Sequence, residues 1–196
     1  MRLQPMAPFT WASGLKSPIY CDNRQLLGFP AIRNQIVEAL VAQARALAPT
    51  LVAGAATAGV PWSAMVADRM GLPTAYVRPT PKDHGMGRQV EGPLAKGHRV
   101  VLVEDLISTG GSSLKCAEAL RAEGAEVPAV LALFSYSLPR AEAAFAKAGI
   151  DLSVLSSFEV LAAEAEARGL VDEAGRMALS AWRADTAGWS RARGGA

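Results

Sequence analysis

A chain of 196 residues with 51% hydrophobic and 19% charged side chains has the balance of one globular domain with a sizeable core, which excludes bulk disorder. Its net charge of +2 is too near zero for a nucleic-acid surface, and nowhere do about 18 apolar residues run together as a membrane span requires. Cys21 and Cys116 lie far apart without C-x-x-C or Cys/His spacing. That argues against a zinc site or a disulfide framework and fits a reduced, cytoplasmic setting. The opening M-R-L-Q-P-M-A-P-F-T carries no apolar signal-peptide core.

Residues 9–23 read as a hairpin, two short strand-like pieces flanking S-G-L-K-S-P, with Gly14 and Pro18 punctuating the turn. Over 30–48 the spacing predicts a helix, because Ile32, Ile36, Leu40, Ala44 and Leu47 recur at helical intervals and Pro30 suits a first turn. Leu51-Val52-Ala53 predicts a strand, followed by the turn G-A-A-T-A-G and a helix over 61–70 ended by Gly71. Residues 74–77 predict another strand, and 79–98 a long polar loop with glycines at 85, 87, 92 and 97. Further strands are expected at 100–103, 127–134 and 150–155, with helices after the first of these and over 139–147, 157–168 and 170–184. Only the final R-A-R-G-G-A reads as frayed. Strands alternating with helices predict a parallel α/β sheet that binds its ligand at the strands' carboxyl ends.

The most informative stretch is R-V-V-L-V-E-D-L-I-S-T-G-G-S-S, residues 99–113. Its apolar run is short and β-branched, as in a buried strand. Glu104 and Asp105 then sit side by side where that strand is expected to leave the sheet. Ser108, Thr109, Gly110, Gly111, Ser112 and Ser113 follow and open a helix. Backbone N–H groups at such a turn, backed by the positive end of a helix, form a nest for a phosphate, and glycines let the backbone come close. Carboxylates repel phosphate, so the acids must face another part of the same ligand. A sugar diol suits them, with a metal ion offsetting the negative charge. The pattern is neither G-x-x-x-x-G-K-[ST] nor G-x-G-x-x-G.

A second cluster lies in R-P-T-P-K-D-H-G-M-G-R-Q-V-E-G, residues 78–92. Arg78, Lys82 and His84 are cations close together on a glycine-rich segment, which suits a lid over a leaving group that gains negative charge. His98 precedes a strand with no partner in sequence and reads as a surface or structural residue.

The 99–113 stretch resembles the phosphoribosyl pyrophosphate (PRPP) signature of the type I phosphoribosyltransferases, a hydrophobic strand running into two acids and a T-G-G-type loop. Outside it the resemblance is to the orotate-specific branch and covers nearly the whole chain, residues 9–189. F-T-W-A-S-G-L-K-S-P-I-Y-C-D-N-R is similar to that branch's hood motif F-T-x-x-S-G-x-x-S-P-x-Y-x-D-x-R. G-A-A-T-A-G-V-P, residues 54–61, resembles its pyrophosphate loop, and A-W-R-A-D-T-A-G-W-S a C-terminal tail found in part of the family.

The resemblance implies one domain over residues 1–196: a central parallel β-sheet flanked by helices, a small N-terminal hood (1–29) and a mobile catalytic loop (79–92). It implies transfer of phosphoribose from PRPP to orotate in pyrimidine (UMP) biosynthesis, with Mg²⁺ held mainly by PRPP and no direct protein ligand. Lys82, His84 and Asp105 are then the catalytic residues. PRPP contacts fall to Arg78, Lys82, His84, Glu104, Asp105, Leu106, Ile107, Ser108, Thr109, Gly110, Gly111 and Ser112, and orotate contacts to Ser108, Lys16 and Tyr20. The partner implied is a second copy of the chain, a homodimer whose catalytic loop reaches into the neighbouring site, with no nucleic acid and no membrane.

The sequence departs from the family pattern at Ala12 (often Lys, with Lys16 four residues on), at Pro79 (often basic), at Thr57-Ala58 (Tyr-Lys in some members) and at Tyr136, about where some members carry a carboxylate-binding Arg. Two alternatives stand beside the orotate reading: a phosphoribosyltransferase for another base, and a PRPP-sensing regulator without catalysis. The regulator would need a basic patch or a DNA-binding segment, and the sequence has neither.

Overall fold

The computed structural model describes residues 2–4, 7–11, 14–80 and 88–195. Four two-residue strands come first: β1 (Arg2–Leu3), β2 (Phe9–Thr10), β3 (Lys16–Ser17) and β4 (Ile19–Tyr20). β2 and β3 pair antiparallel, as the hairpin reading expects, and β1 pairs antiparallel with β4. The chain divides into two compact units, Asn23–Ser157 and the pair of segments Met1–Asp22 and Phe158–Ala196.

In the unit Asn23–Ser157, a 3₁₀ turn (Asn23–Gly28) leads into α1 (Pro30–Ala46), with proline in its first turn. Then follow β5 (Leu51–Ala55), α2 (Gly59–Met70), β6 (Thr74–Val77), β7 (Val90–Glu91) and β8 (Arg99–Ile107). The unit closes with α3 (Gly111–Ala122), β9 (Glu126–Ser135), α4 (Pro139–Ala148) and β10 (Asp151–Ser157). The sheet runs β10-β9-β8-β5-β6-β7, and every neighbouring pair is parallel except β6 with β7. This is the expected central parallel sheet flanked by helices.

The two-residue period of the strands sorts the core into two layers. Leu51, Ala53, Val100 and Leu102 pack with Cys116, Ala117 and Leu120 of α3 and with Ala141 and Phe145 of α4. Val52, Val101, Val103 and Leu131 face the other way, onto Val37, Leu40 and Val41 of α1 and Trp62 and Val66 of α2. Strands covered on both faces need apolar residues at every position, which is why they read as continuous apolar runs.

Three expectations need correction. β7 lies inside the segment expected to be a loop, pairing Val77 with Val90 and Tyr76 with Glu91. Two residues are too few to carry a period. α2 begins at Gly59, two residues ahead of the position expected. Ile32, expected on the buried stripe of α1, is 45% exposed. Each four-residue step overshoots a full turn by about 40°, so three steps back from Ala44 turn Ile32 about 120° away from the stripe.

In the other unit, α5 (Phe158–Ala167), α6 (Glu173–Ala184) and α7 (Thr186–Arg191) follow one another. α6 is capped by Asp172, which accepts from Gly175 N at 2.7 Å, and α7 by Asp185, which accepts from Gly188 N at 2.8 Å. α7 is absent from the sequence expectation. Trp182 is fully buried between Trp11 and Phe158, its indole N–H donating to the Lys16 carbonyl. Lys16 N in turn donates to Ser190 Oγ at 2.8 Å, so the hairpin and the C-terminal helices share one core. Among the described residues no helix is long and apolar enough to cross a membrane.

Candidate active site

Because β5, β6, β8 and β9 run parallel, the turns after them open at one edge of the sheet. β5 and β8 are neighbours whose onward connections lead to opposite sides, to β6 and to β9. Such a switch point leaves a crevice, and open α/β sheets bind ligands there. Both glycine-rich motifs fall at it, residues 54–59 from the end of β5 to the start of α2 and residues 108–110 between β8 and α3.

Gly54 and Gly59 close the first turn. A Cβ on Gly54 would stand 2.8 Å from the Gly59 carbonyl oxygen, and one on Gly59 would overlap the Val103 carbonyl. The two glycines thereby set the start of α2 directly against β8 where the acid pair begins.

Glu104 and Asp105 lie within β8, not beyond it as the sequence suggested. β5 pairs with β8 only as far as Val103, whereas the longer β9 pairs on to Ile107. The acids therefore occupy a stretch of strand that has kept one neighbour and lost the other. Glu104 is buried, 8% exposed, with Oε1 accepting from Asp105 N at 3.0 Å and Oε2 accepting from Ser113 Oγ at 3.2 Å. Burial first, and the Asp105 charge beside it second, push the Glu104 carboxyl up from its ordinary 4.5 to about 8. Burial and the Glu104 charge likewise push the Cys116 thiol up to about 11. Asp105 is half-buried, and its carbonyl accepts from Asn23 Nδ2 at 2.8 Å.

Immediately after the acids, Ser108 and Thr109 are half-buried, while Gly111 and Ser112 face solvent. Gly110 is the N-cap of α3 with φ 78°, and no side chain caps the helix. The first-turn N–H groups of α3 are thus offered to an anion. The two glycines serve differently. At Gly110 both the left-handed φ and Phe145 Cε2, 2.8 Å from where a Cβ would be, require glycine. At Gly111 a Cβ would find nothing nearer than Thr109 Oγ1 at 4.0 Å, so the space that glycine leaves is open to a ligand. Gly110→Ala is expected to cost about 2 kcal/mol of stability, and Gly111→Ala to leave stability nearly unchanged while weakening phosphate binding. Urea melts of the two variants check this contrast.

The remaining expected site residues lie on several elements. Leu106 is half-buried, and Ile107 buries its side chain in the sheet core, its main chain paired with Ser135 of β9. Arg78 follows β6 directly, half-buried, with Nη1 3.8 Å from Glu91 Oε1 and its carbonyl accepting from Gln89 Nε2 at 2.7 Å. Lys82 and His84 lie outside the described residues. Lys16 on β3 and Tyr20 on β4 belong to the other unit, where Tyr20 packs on Phe9 at 5.5 Å between ring centroids. Tyr136 is buried edge-on to Phe134, and its N–H donates to the Ile107 carbonyl. His98 accepts from Ala95 N through Nδ1 at 3.3 Å, a local loop contact in keeping with the structural role expected. Sequence reasoning missed Ser113 and Asn23, whose bonds to the acid pair span 9 and 82 residues. No spacing rule could have found the second.

The phosphoribosyl transferase domain model matches residues 30–156. An orotate phosphoribosyltransferase of Cytophaga hutchinsonii is 48% identical over 193 residues, covering 97% of this chain and 92% of that protein. Among solved structures, the orotate phosphoribosyltransferase of Aeropyrum pernix superposes with a TM-score of 0.73 at 36% identity, covering 84% of this chain and 92% of that one. The UMP synthase of Leishmania donovani gives a TM-score of 0.80 at 27% identity; 93% of this chain is covered, but only 39% of that longer one. With this similarity running through the whole chain and the acid pair standing beside an uncapped helix end, the chain belongs to the orotate phosphoribosyltransferase family.

Proposed function

We propose that this chain carries out its family's reaction at the β8–α3 turn, moving the phosphoribosyl group of PRPP to N1 of orotate to give orotidine 5′-monophosphate and pyrophosphate. The observation that carries the proposal is the juxtaposition of Glu104 and Asp105 with the uncapped N-terminus of α3, at the sheet's switch point. Main-chain N–H groups of residues 109–112 and the hydroxyls of Ser108, Thr109 and Ser112 hold the 5′-phosphate. Glu104 and Asp105 face the ribose diol, with the main chain of Leu106 and Ile107 shaping the floor. Arg78, Lys82 and His84 neutralise pyrophosphate as it leaves. Ser108, Lys16 and Tyr20 serve orotate, a role supported by the hood motif.

No enzyme nucleophile is needed, because the attacking atom is the substrate's own nitrogen. Catalysis is then alignment of two substrates plus stabilisation of charge. As the bond from ribose C1 to pyrophosphate loosens, the sugar gains oxocarbenium character, which the negative charge on the acid pair favours. The donor set here is hydroxyls, N–H groups and one half-buried carboxylate, with no cluster of three His, Cys, Asp or Glu among the described residues. Oxygen donors of this kind suit a hard cation, and Mg²⁺ brought with PRPP would supply positive charge to offset that of the leaving group.

The working form is a cytoplasmic homodimer in which the loop leading from β6 to β7 closes over the partner's site. The exposed apolar side chains Phe29, Ile32 and Tyr76 of the Asn23–Ser157 unit are suited to such an interface. Sharing of the loop has a specific consequence. Lys82→Ala and Asp105→Asn subunits, each inactive alone, should regain activity when mixed and allowed to exchange, because one site of each mixed dimer is intact. No recovery would confine both residues to one subunit's site.

The function itself is tested with a panel of orotate, uracil and purine bases supplied with PRPP and Mg²⁺, following pyrophosphate release. Orotate alone should support turnover, and turnover with another base in its place would overturn the assignment.

A further inference from the structure

Glu104 is held at both of its oxygens, and one of the two partners comes from a different element. Ser113 sits in the first turn of α3, fully buried, with its hydroxyl on Glu104 Oε2. A hydroxyl is a costly group to bury for packing alone, since alanine fills nearly the same space with no polar atom to satisfy. The same helix end presents the N–H groups assigned to the phosphate. We propose that Ser113 is a positioning residue for phosphoribosyl transfer: its hydroxyl fixes the Glu104 carboxyl and so locks the acid pair in register with the phosphate cradle on the same turn. The inference rests on the reading of the site given above.

The geometry has a chemical consequence. The Ser113 O–H donates to Glu104, and a donor of this kind stabilises the carboxylate over the acid. Ser113 thus opposes the burial and the Asp105 charge that hold a proton on Glu104. The titratable groups facing Glu104 among the described residues are Asp105 on the same strand and Cys116 on α3. With its thiol pushed up to about 11, Cys116 stays neutral in the range that matters.

The test is kcat/KM for PRPP measured from about pH 6 to about 9 in the parent, Ser113→Ala and Ser113→Thr. The rising limb should move up by about one pH unit in Ser113→Ala, a loss of about tenfold on the acid side with the high-pH plateau retained. Ser113→Thr keeps the hydroxyl and should return the limb to its place. In a Glu104→Gln background, Ser113→Ala should produce no further shift. Superimposed profiles for the parent and Ser113→Ala overturn the inference. So does a uniform loss at every pH, which marks a packing role, or a shift that persists without Glu104. A parent that releases no pyrophosphate from PRPP and orotate sinks the reading of the site itself, whereas an active parent with an unshifted variant sinks the role of Ser113 alone.

Discussion

Asp105→Asn is expected to lower kcat by about 10²–10³-fold, the loss typical when one charge-stabilising group is removed from an active site. The substitution is nearly isosteric, so it separates charge from shape. It leaves untouched the Asp105 carbonyl that accepts from Asn23 and the Asp105 N–H that donates to Glu104. The fold should therefore persist, while the developing positive charge on ribose loses its nearest counter-charge. The effect should fall on kcat more than on KM, because that charge exists mainly in the transition state. Steady-state kinetics with PRPP as the varied substrate reads the split. A variant with full kcat would show that the carboxylate charge at the end of β8 plays no part in the chemistry.

Glu104→Gln should act in opposite directions on stability and on activity. In the unfolded chain this carboxyl ionises near 4.5, while in the folded one it keeps its proton up to about 8. Between those values the folded state binds the extra proton, so stability falls as pH rises through the window, by at most about 1.4 kcal/mol per pH unit. Below and above the window the contribution is flat. Glutamine carries no proton to lose, so the variant should lack this slope and exceed the parent at pH 8 by a margin on the order of a few kcal/mol. The same change removes an acid assigned to the ribose and should depress turnover. Urea melts at pH 5 and pH 8 give the slope. A parent whose stability does not fall between these points would mean that Glu104 is not held as an uncharged, buried acid.

Much of the scaffold was legible because its signals are local. V-V-L-V announces a strand buried on both faces, and β8 is one. The glycines at 54, 59 and 110 stand where backbone must come close or turn left-handed, and each meets a neighbour a side chain could not share. What stayed hidden depends on distant partners. The acids were expected beyond the strand because nothing in E-D-L-I reveals that β9 continues alongside them after β5 has stopped. β7 is two residues long and exists through its pairing with β6. α7, which nothing in the sequence pattern announces, forms with Asp185 as its cap and Ser190 bonded to Lys16 across 174 positions. Within the site, the motif led to Glu104 and Asp105 but not to what holds them. Asn23 and Ser113 were passed over because a lone amide or hydroxyl becomes recognisable only with its acceptor in view.

The most direct measurement is a crystal structure of the chain with PRPP and Mg²⁺. The 5′-phosphate should lie over the main-chain N–H groups of residues 109–112, the ribose hydroxyls at Glu104 and Asp105, and the pyrophosphate toward residues 54–59 and Arg78. A PRPP molecule seated elsewhere, with the turn between β8 and α3 left to solvent, would contradict this placement.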